Sequence, residues 1–326
     1  MASTWTTSLD RAGVDAAVRG WLSRAALPGR DIERARSLAG GYRNDNILLV
    51  TGTGEQYVLR RYLHSNTCAV EAALAARLAG IVPVAEVVAA DPDGTASGQP
   101  LLLSRYLPGE LVSEILPRLA AHDAEGLGRE TGATLAAVGT VSLEHPGFFT
   151  GADLIPEGTE PTADLPAFVD RCLRTGNADH ALTQAEQQDL LQRAASAVPA
   201  LGAVRGARQL VHSDFNPKNL LATRTAGTWA ITAVLDWEFS FSSSPLFDVG
   251  NMLRFRTELP PGFAAGFIAG FRAAGGHLPR NWRELSQALD LFALADFLTR
   301  SPEHPFFGKA ATLIRQHLAA AADMSP

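Results

Sequence analysis

The hydrophobic period of this chain changes near residue 110, and that change limits the folds open to it. Before it, short β-like runs dominate: Ile47–Val50, Gln56–Tyr62, Glu86–Ala90 and Pro100–Tyr106. Thr51-Gly52-Thr53-Gly54 reads as a hairpin turn between the first two. The spacing predicts a helix from Asp10 to about Ala26, with Val14, Ala17, Val18, Trp21 and Leu22 on one face, and another from Thr67 to Ala79. Beyond Leu111 the pattern is chiefly helical, near Asp123–Val138, Thr183–Ala200, Pro261–Ala274, Asn281–Thr299 and Gly308–Ala322. Only Gln209–Ser213, Leu220–Thr223 and Trp229–Leu235 break it with strand-like composition. Strands first and helices afterwards is the signature of an α+β fold with segregated layers. The expected division is a small antiparallel-sheet lobe with one long helix over residues 1–103, a connector over 104–109 and a larger helical lobe over 110–326. A ligand cleft belongs between the lobes. Pro156 to Pro166, rich in Pro, Thr and acids, reads as an exposed loop.

Composition removes several classes of function. A net charge of -6 and the lack of any Lys/Arg-rich run argue against nucleic acid or an anionic membrane as partner. Cys68 and Cys172, the two cysteines, form no metal-binding or disulfide pattern. No segment has the roughly 18 uninterrupted apolar residues of a membrane helix, and Met1–Asp10 lacks the character of a signal peptide. A cytoplasmic location is the expectation. A dinucleotide-dependent oxidoreductase would need Gly-x-Gly-x-x-Gly between a strand and a helix, and the chain has no such unit.

The chemistry is concentrated in Leu210-Val211-His212-Ser213-Asp214-Phe215-Asn216-Pro217-Lys218-Asn219-Leu220-Leu221, a polar loop between two apolar runs. His-x-Asp followed by Asn five residues after the Asp is the spacing of a kinase catalytic loop. There the carboxylate meets the acceptor hydroxyl and the amide oxygen binds a metal ion. A second apolar run, Ile231-Thr232-Ala233-Val234-Leu235, ends on Asp236, a rigid mount for a Mg²⁺ ligand. Phosphoryl transfer passes through a loose, charged transition state, so alignment and charge are what a protein must supply.

These segments resemble the aminoglycoside phosphotransferase family from about Leu38 to Arg254. The resemblance implies a bilobal protein-kinase-like fold, Mg²⁺ as cofactor, ATP or GTP as phosphate donor and a small molecule with a hydroxyl as acceptor. In that family the loop reads His-Gly-Asp-x-x-x-x-Asn, and this chain has Ser213 at the Gly position. On this resemblance Asp214 is catalytic, Asn219 and Asp236 hold the metal, and His212 and Asp248 support the loop. Arg60, at the position of the usual Lys, contacts the nucleotide phosphates, with Glu71 as its helix partner. Arg61, its neighbour on the opposite face of the strand, is the rival for that role. Gly40 and Gly41 lie where a phosphate-covering loop belongs, and Ser104, Arg105 and Tyr106 where the connector receives the base. Glu238, Asp290 and Asp296 are candidates for the acceptor side, packing of its own segment being the rival for Glu238 and a helix-face salt bridge or cap the rival for the last two.

The short stretch between Asp236 and Asp248 leaves no room for a long activation loop, which favours a small acceptor over a protein. An antibiotic O-phosphotransferase is the leading expectation. Choline-, sugar- or homoserine-type kinases, and a non-catalytic nucleotide-binding scaffold, are the alternatives. The sequence leaves monomer and homodimer open.

Overall fold

The computed structural model describes residues 13–38 and 44–322. A short helix, α1 (Ala16–Trp21), runs into a π turn over Leu22–Ala26. An antiparallel sheet follows: β1 (Ile32–Ser37), β2 (Asn44–Thr51), β3 (Gln56–Tyr62), then, after helix α2 (Cys68–Leu78), β4 (Val87–Asp91) and β5 (Leu101–Arg105). Its strand order is β1-β2-β3-β5-β4. Alternation along β3 divides its side chains between two faces. Tyr57 and Leu59 pack with Val14, Val18 and Trp21 from the α1 region, whereas Tyr62 packs with Cys68 at the start of α2.

The larger lobe begins with β6 (Glu110–Leu111), α3 (Val112–Ile115) and α4 (Ala121–Val138). β7 (Gly147–Phe149), β8 (Pro156–Glu157), α5 (Leu165–Thr175) and α6 (Gln184–Leu201) come next. β9 (Gln209–Val211), β10 (Leu220–Thr225), β11 (Thr228–Val234) and β12 (Phe241–Ser243) carry the polar segments identified above. α7 (Leu246–Leu253), α8 (Phe263–Ala273), α9 (Trp282–Phe297) and α10 (Phe307–Ala322) complete the chain. The small strands form two sheets, β11-β10-β6 and β8-β7-β12-β9. Among the described residues, no helix is long and apolar enough to cross a membrane.

Two close approaches set the frame. Helices α4 and α8 meet through Gly128 and Gly132 on one and Gly266 and Gly270 on the other. A Cβ at Gly132 would stand 2.0 Å from the Phe267 carbonyl oxygen, so only hydrogen fits there. In the connector, a Cβ at Gly109 would lie 2.7 Å from Thr232 Oγ1 and 2.9 Å from Leu221 Cβ. Thr232 Oγ1 also donates to the Pro108 carbonyl (3.0 Å). The connector is thereby fastened to β10 and β11, the strands that bear the candidate chemistry.

The structure departs from the sequence reading at four places. The larger lobe holds β6, β7, β8 and β12 beyond the three strand-like runs expected, each two or three residues long and too short to show an alternation. β1 was not expected, because Ile32-Glu33-Arg34-Ala35-Arg36-Ser37 buries only Ala35 fully and lies at a sheet edge, where an apolar alternation is not required. Pro156 to Pro166 is an exposed loop only in part: Glu157, Gly158 and Thr159 are exposed, but Pro156, Pro161 and Thr162 are buried and α5 starts inside the segment. Asp164 caps α5 by accepting from the Ala167 N–H, and Pro166 stands in the first turn, where a missing N–H costs nothing. The first helix is shorter than its pattern, and the expected start at Asp10 lies outside the described residues.

Candidate active site

The β10–β11 hairpin brings Asn219 and Asp236 together. Leu220 pairs with Val234, and the Leu235 N–H donates to the Asn219 carbonyl (2.8 Å), so both candidate ligands emerge at one end of the ribbon. Asp236 has φ 66° and ψ 64°, a left-handed conformation that Asp tolerates better than most residues. It turns the chain away from the strand at that residue.

Asp214 is oriented by two amides. Asn216 Nδ2 donates to one carboxylate oxygen (2.7 Å), and Asn219 Nδ2 to the other (2.7 Å) and to the Asp214 carbonyl (2.9 Å). Because both partners of Asn219 are acceptors, its nitrogen must face them and its Oδ1 must face away. That oxygen and the Asp236 carboxylate, one-third exposed, form a pair of hard donors suited to Mg²⁺. Two protein oxygens, well short of a full cage, are what a cation held jointly with phosphate oxygens requires. Asn216 escaped the sequence reading, although an Asn before Pro is a turn signal: its side chain caps the Pro217–Asn219 turn through the Lys218 N–H.

His212 is fully buried between the loop and β11. Its Nε2 lies 2.9 Å from the Leu235 carbonyl, which can only accept, so Nε2 carries the proton. Burial holds the imidazole below its ordinary pKa, and Nδ1 is left to accept from the Asp214 N–H (3.2 Å). A neutral ring with both nitrogens engaged ties the residue before Asp236 to Asp214 and has no proton to exchange with a substrate. The ring also packs 4.5 Å from that of Trp237.

Asp248, fully buried on α7, accepts from the backbone N–H groups of His212 and Ser213 (2.8 Å each). Burial pushes its carboxyl up to about 7 despite these donors. Asn251, one turn further along, donates to the Ser213 carbonyl (2.7 Å). Ser213 sits at φ 71°, which explains why Gly suits this position in related loops. Serine retains the turn at the expense of backbone strain.

From the opposite lobe, Arg60 reaches into the same region. Its guanidinium lies 3.4 Å from Glu71, 2.6 Å from Asp236 and 3.2 Å from Glu238. Burial opposes its charge, but Glu71 and Asp236 outweigh that and raise its pKa. Burial also lifts Glu71 to about 7, outweighing the pull of Arg60. Arg61 points to the other face of β3 and donates to the Gly13 carbonyl (2.7 Å) and Gln99 (2.8 Å). The structure therefore brings Arg60, not Arg61, to the candidate site.

Glu238 is nearly buried, where it accepts from Arg60 and from Asn44 Nδ2 (2.8 Å). It binds the start of β2 to the Asp236 segment instead of facing outward toward an acceptor. Asn44 carried no signal of this contact in the sequence. Asp290 is likewise removed from a substrate role: Arg254 grips both its oxygens at 2.7–3.0 Å in a buried pair between α7 and α9. Asp296 pairs with Arg300 one turn along its helix (2.7 Å), the salt bridge weighed as its rival reading.

At the connector, the Arg105 N–H donates to the Glu86 carbonyl (2.9 Å) and the Tyr106 N–H to the Gln56 carbonyl (3.1 Å). Those two donors are committed to the sheet, and Ser104 pairs with Val58 and Val87. The Arg105 side chain lies over the Tyr57 ring and reaches Glu86 (3.3 Å). Gly40 and Gly41 fall outside the described residues.

A family model described as "Phosphotransferase enzyme family" matches residues 34–287. Solved structures with the same fold include the aminoglycoside phosphotransferase APH(4)-Ia, 19% identical, with a TM-score of 0.69 over 95% of this chain and 99% of that one. A ternary complex of a thermostable mutant of that protein with AMP-PNP and hygromycin B is 18% identical, with a TM-score of 0.69 over 93% and 98%. A complex of APH(2″)-IIIa with GDP and kanamycin is 15% identical, with a TM-score of 0.66 over 93% and 98%. At these identities the likeness establishes the shared fold. No curated protein sequence matches the chain.

Proposed function

The chain belongs to the phosphotransferase enzyme family, and on that premise we propose that it transfers the γ-phosphate of ATP or GTP to a hydroxyl of a small molecule. The observation that carries this reading is the Asp214 carboxylate, gripped through both oxygens by Asn216 and Asn219 beside Asp236. A carboxylate fixed in that way can orient an acceptor hydroxyl and take its proton late in transfer, when the oxygen–phosphorus bond is forming.

Asn219 Oδ1 and Asp236 would hold Mg²⁺, whose charge, when bound, offsets that of the transferring phosphate. Arg60 has the fork and the permanent charge to engage phosphate oxygens, and Glu71 anchors its other side. Asp248, Asn251 and His212 hold the loop so that Asp214 needs no rearrangement before reaction. We assign nucleotide binding to the lobe at residues 1–103, the connector to 104–109 and the acceptor site to 110–326, in a cytoplasmic protein. The hygromycin B and kanamycin bound by structural relatives support an antibiotic or other hydroxyl-rich acceptor.

The test is Mg²⁺-dependent transfer of labelled γ-phosphate to a panel of antibiotics, sugars and amino alcohols. Asp214→Ala should cut transfer by about 10²–10⁴ while leaving nucleotide affinity within error. Wild-type turnover in that variant would remove Asp214 from the chemistry.

A further inference from the structure

Four partly exposed rings cluster near the loop of Asp214, one of them, Phe297, resting against the core. Phe306 lies 6.0 Å from Phe255 and 5.3 Å from Phe297, with interplanar angles of 26° and 30°. His304 stacks 6.2 Å from Phe297 at 27° and lies 5.9 Å from Phe306. All four are partly exposed, whereas the next residue, Phe307, is 4% exposed and belongs to the core. Offset rings at these separations attract one another and present a flat apolar face.

One direct contact and one sequence neighbour relate this face to the loop of Asp214. Asn251 on α7 donates to the carbonyl of Ser213, the residue before Asp214, and Phe255 lies four residues beyond Asn251. At the other end of the loop, Lys218, the residue before Asn219, sets its Nζ 4.3 Å from the centre of the Phe306 ring. The loop that carries Asp214 thus touches the ring cluster through Lys218, and Phe255 follows the helix that holds the other end of the loop.

Cations stand over three of the rings, and two of them, Arg254 and Lys309, are ion-paired with Asp290 and Glu258. Arg254 lies 5.5 Å over Phe297 and Lys309 lies 5.0 Å over Phe255, in addition to Lys218 over Phe306. The neighbouring acids are already engaged: Asp290 with Arg254, Glu258 with Lys309 and Asp296 with Arg300. A polycationic acceptor would find these acids already paired with cations of the chain and would meet Lys218 over the Phe306 ring.

We propose that Phe255, Phe297, His304 and Phe306 wall the acceptor subsite, which takes a hydroxyl compound bearing an apolar or aromatic ring and no polycationic charge. This rests on the phosphotransferase reading and narrows its substrate class.

A binding measurement keeps the two separable. The full chain, with Mg²⁺ and AMP-PNP, is titrated calorimetrically with 4-nitrophenyl β-D-glucopyranoside, methyl β-D-glucopyranoside and kanamycin. The first two probes share their hydroxyls and differ by a ring, and the third is a polycation without one. The aryl glycoside should bind about ten-fold more tightly than the methyl glycoside. Phe306→Ala and Phe255→Ala should each erase that difference without altering AMP-PNP affinity, and Phe306→Trp should retain it. Tighter binding of kanamycin than of the aryl glycoside, no difference between the glycosides, or a ring preference that survives both alanine variants would overturn the subsite. Phosphate transfer and its dependence on Asp214 are scored separately, so loss of the kinase reading would show there and not in the ring preference.

Discussion

The two lobes hold their functional groups by different means. In the larger lobe, Asp214 is fixed by two neutral amides, and its loop by a neutral histidine and by the buried Asp248 carboxyl, which accepts from the loop's own N–H groups. In the smaller lobe, Arg60 is held by carboxylates, two of them contributed by the opposite lobe. Neutral donors fix geometry with little dependence on what else is bound. The Arg60–Asp236 ion pair does the reverse, because on the proposed function each partner would have a competing use, phosphate for one and metal for the other. On the proposed function, the loop of Asp214 is preorganised, and the Arg60–Asp236 pair is an interaction that a bound nucleotide would displace.

The contrast is broken most severely by Asp248→Ala. Two buried backbone N–H groups lose their acceptor at about 1–3 kcal/mol each, so the chain should lose roughly 2–6 kcal/mol of stability, read by urea denaturation. Unchanged stability would mean that the loop is held by other contacts. Arg60→Met should be next, at about 3 kcal/mol, since it leaves Glu71, Asp236 and Glu238 facing one another in a partly dry site. It should also raise the nucleotide KM more than it lowers kcat, which steady-state kinetics would detect.

Glu71→Gln sharpens the electrostatic side. A carboxyl raised to about 7 favours the folded state most below its ordinary range, near pH 4, and loses that contribution as pH rises toward 7. The variant lacks this decline. Its melting temperature relative to the parent should therefore improve between pH 5 and pH 7, and a difference constant with pH would show that Glu71 is not perturbed in this way. Ser213→Gly should have the smallest effect, a gain of up to about 1 kcal/mol from relief of the positive φ, offset in part by the greater freedom of glycine in the unfolded chain. Thermal melts would measure it, and turnover should be kept.

The central constellation was legible because it is local. Asp214 and Asn219 lie on one short loop, and Asp236 ends a strand that pairs with the strand after that loop, so spacing and apolar runs were enough. The β3, α2 and β9–β11 segments were legible for the same reason, since period-two and period-3.6 patterns reflect burial on one face. Edge strand β1 and helix α5 left weaker traces, one with few apolar positions and the other beginning at a proline.

What the sequence determined by itself was the family and the strand-then-helix order, and it singled out Asp214, Asn219 and Asp236 as the candidate set. Tertiary structure decided which arginine faces the site, because strand register alone sends Arg60 toward α2 and Arg61 toward α1. It also removed Glu238 and Asp290 from the acceptor side by giving each a partner distant in sequence, Asn44 and Arg254. The physical reason is one of range. Periodicity records which face of an element is buried, whereas the fate of a charge depends on what the rest of the chain places within about 4 Å of it.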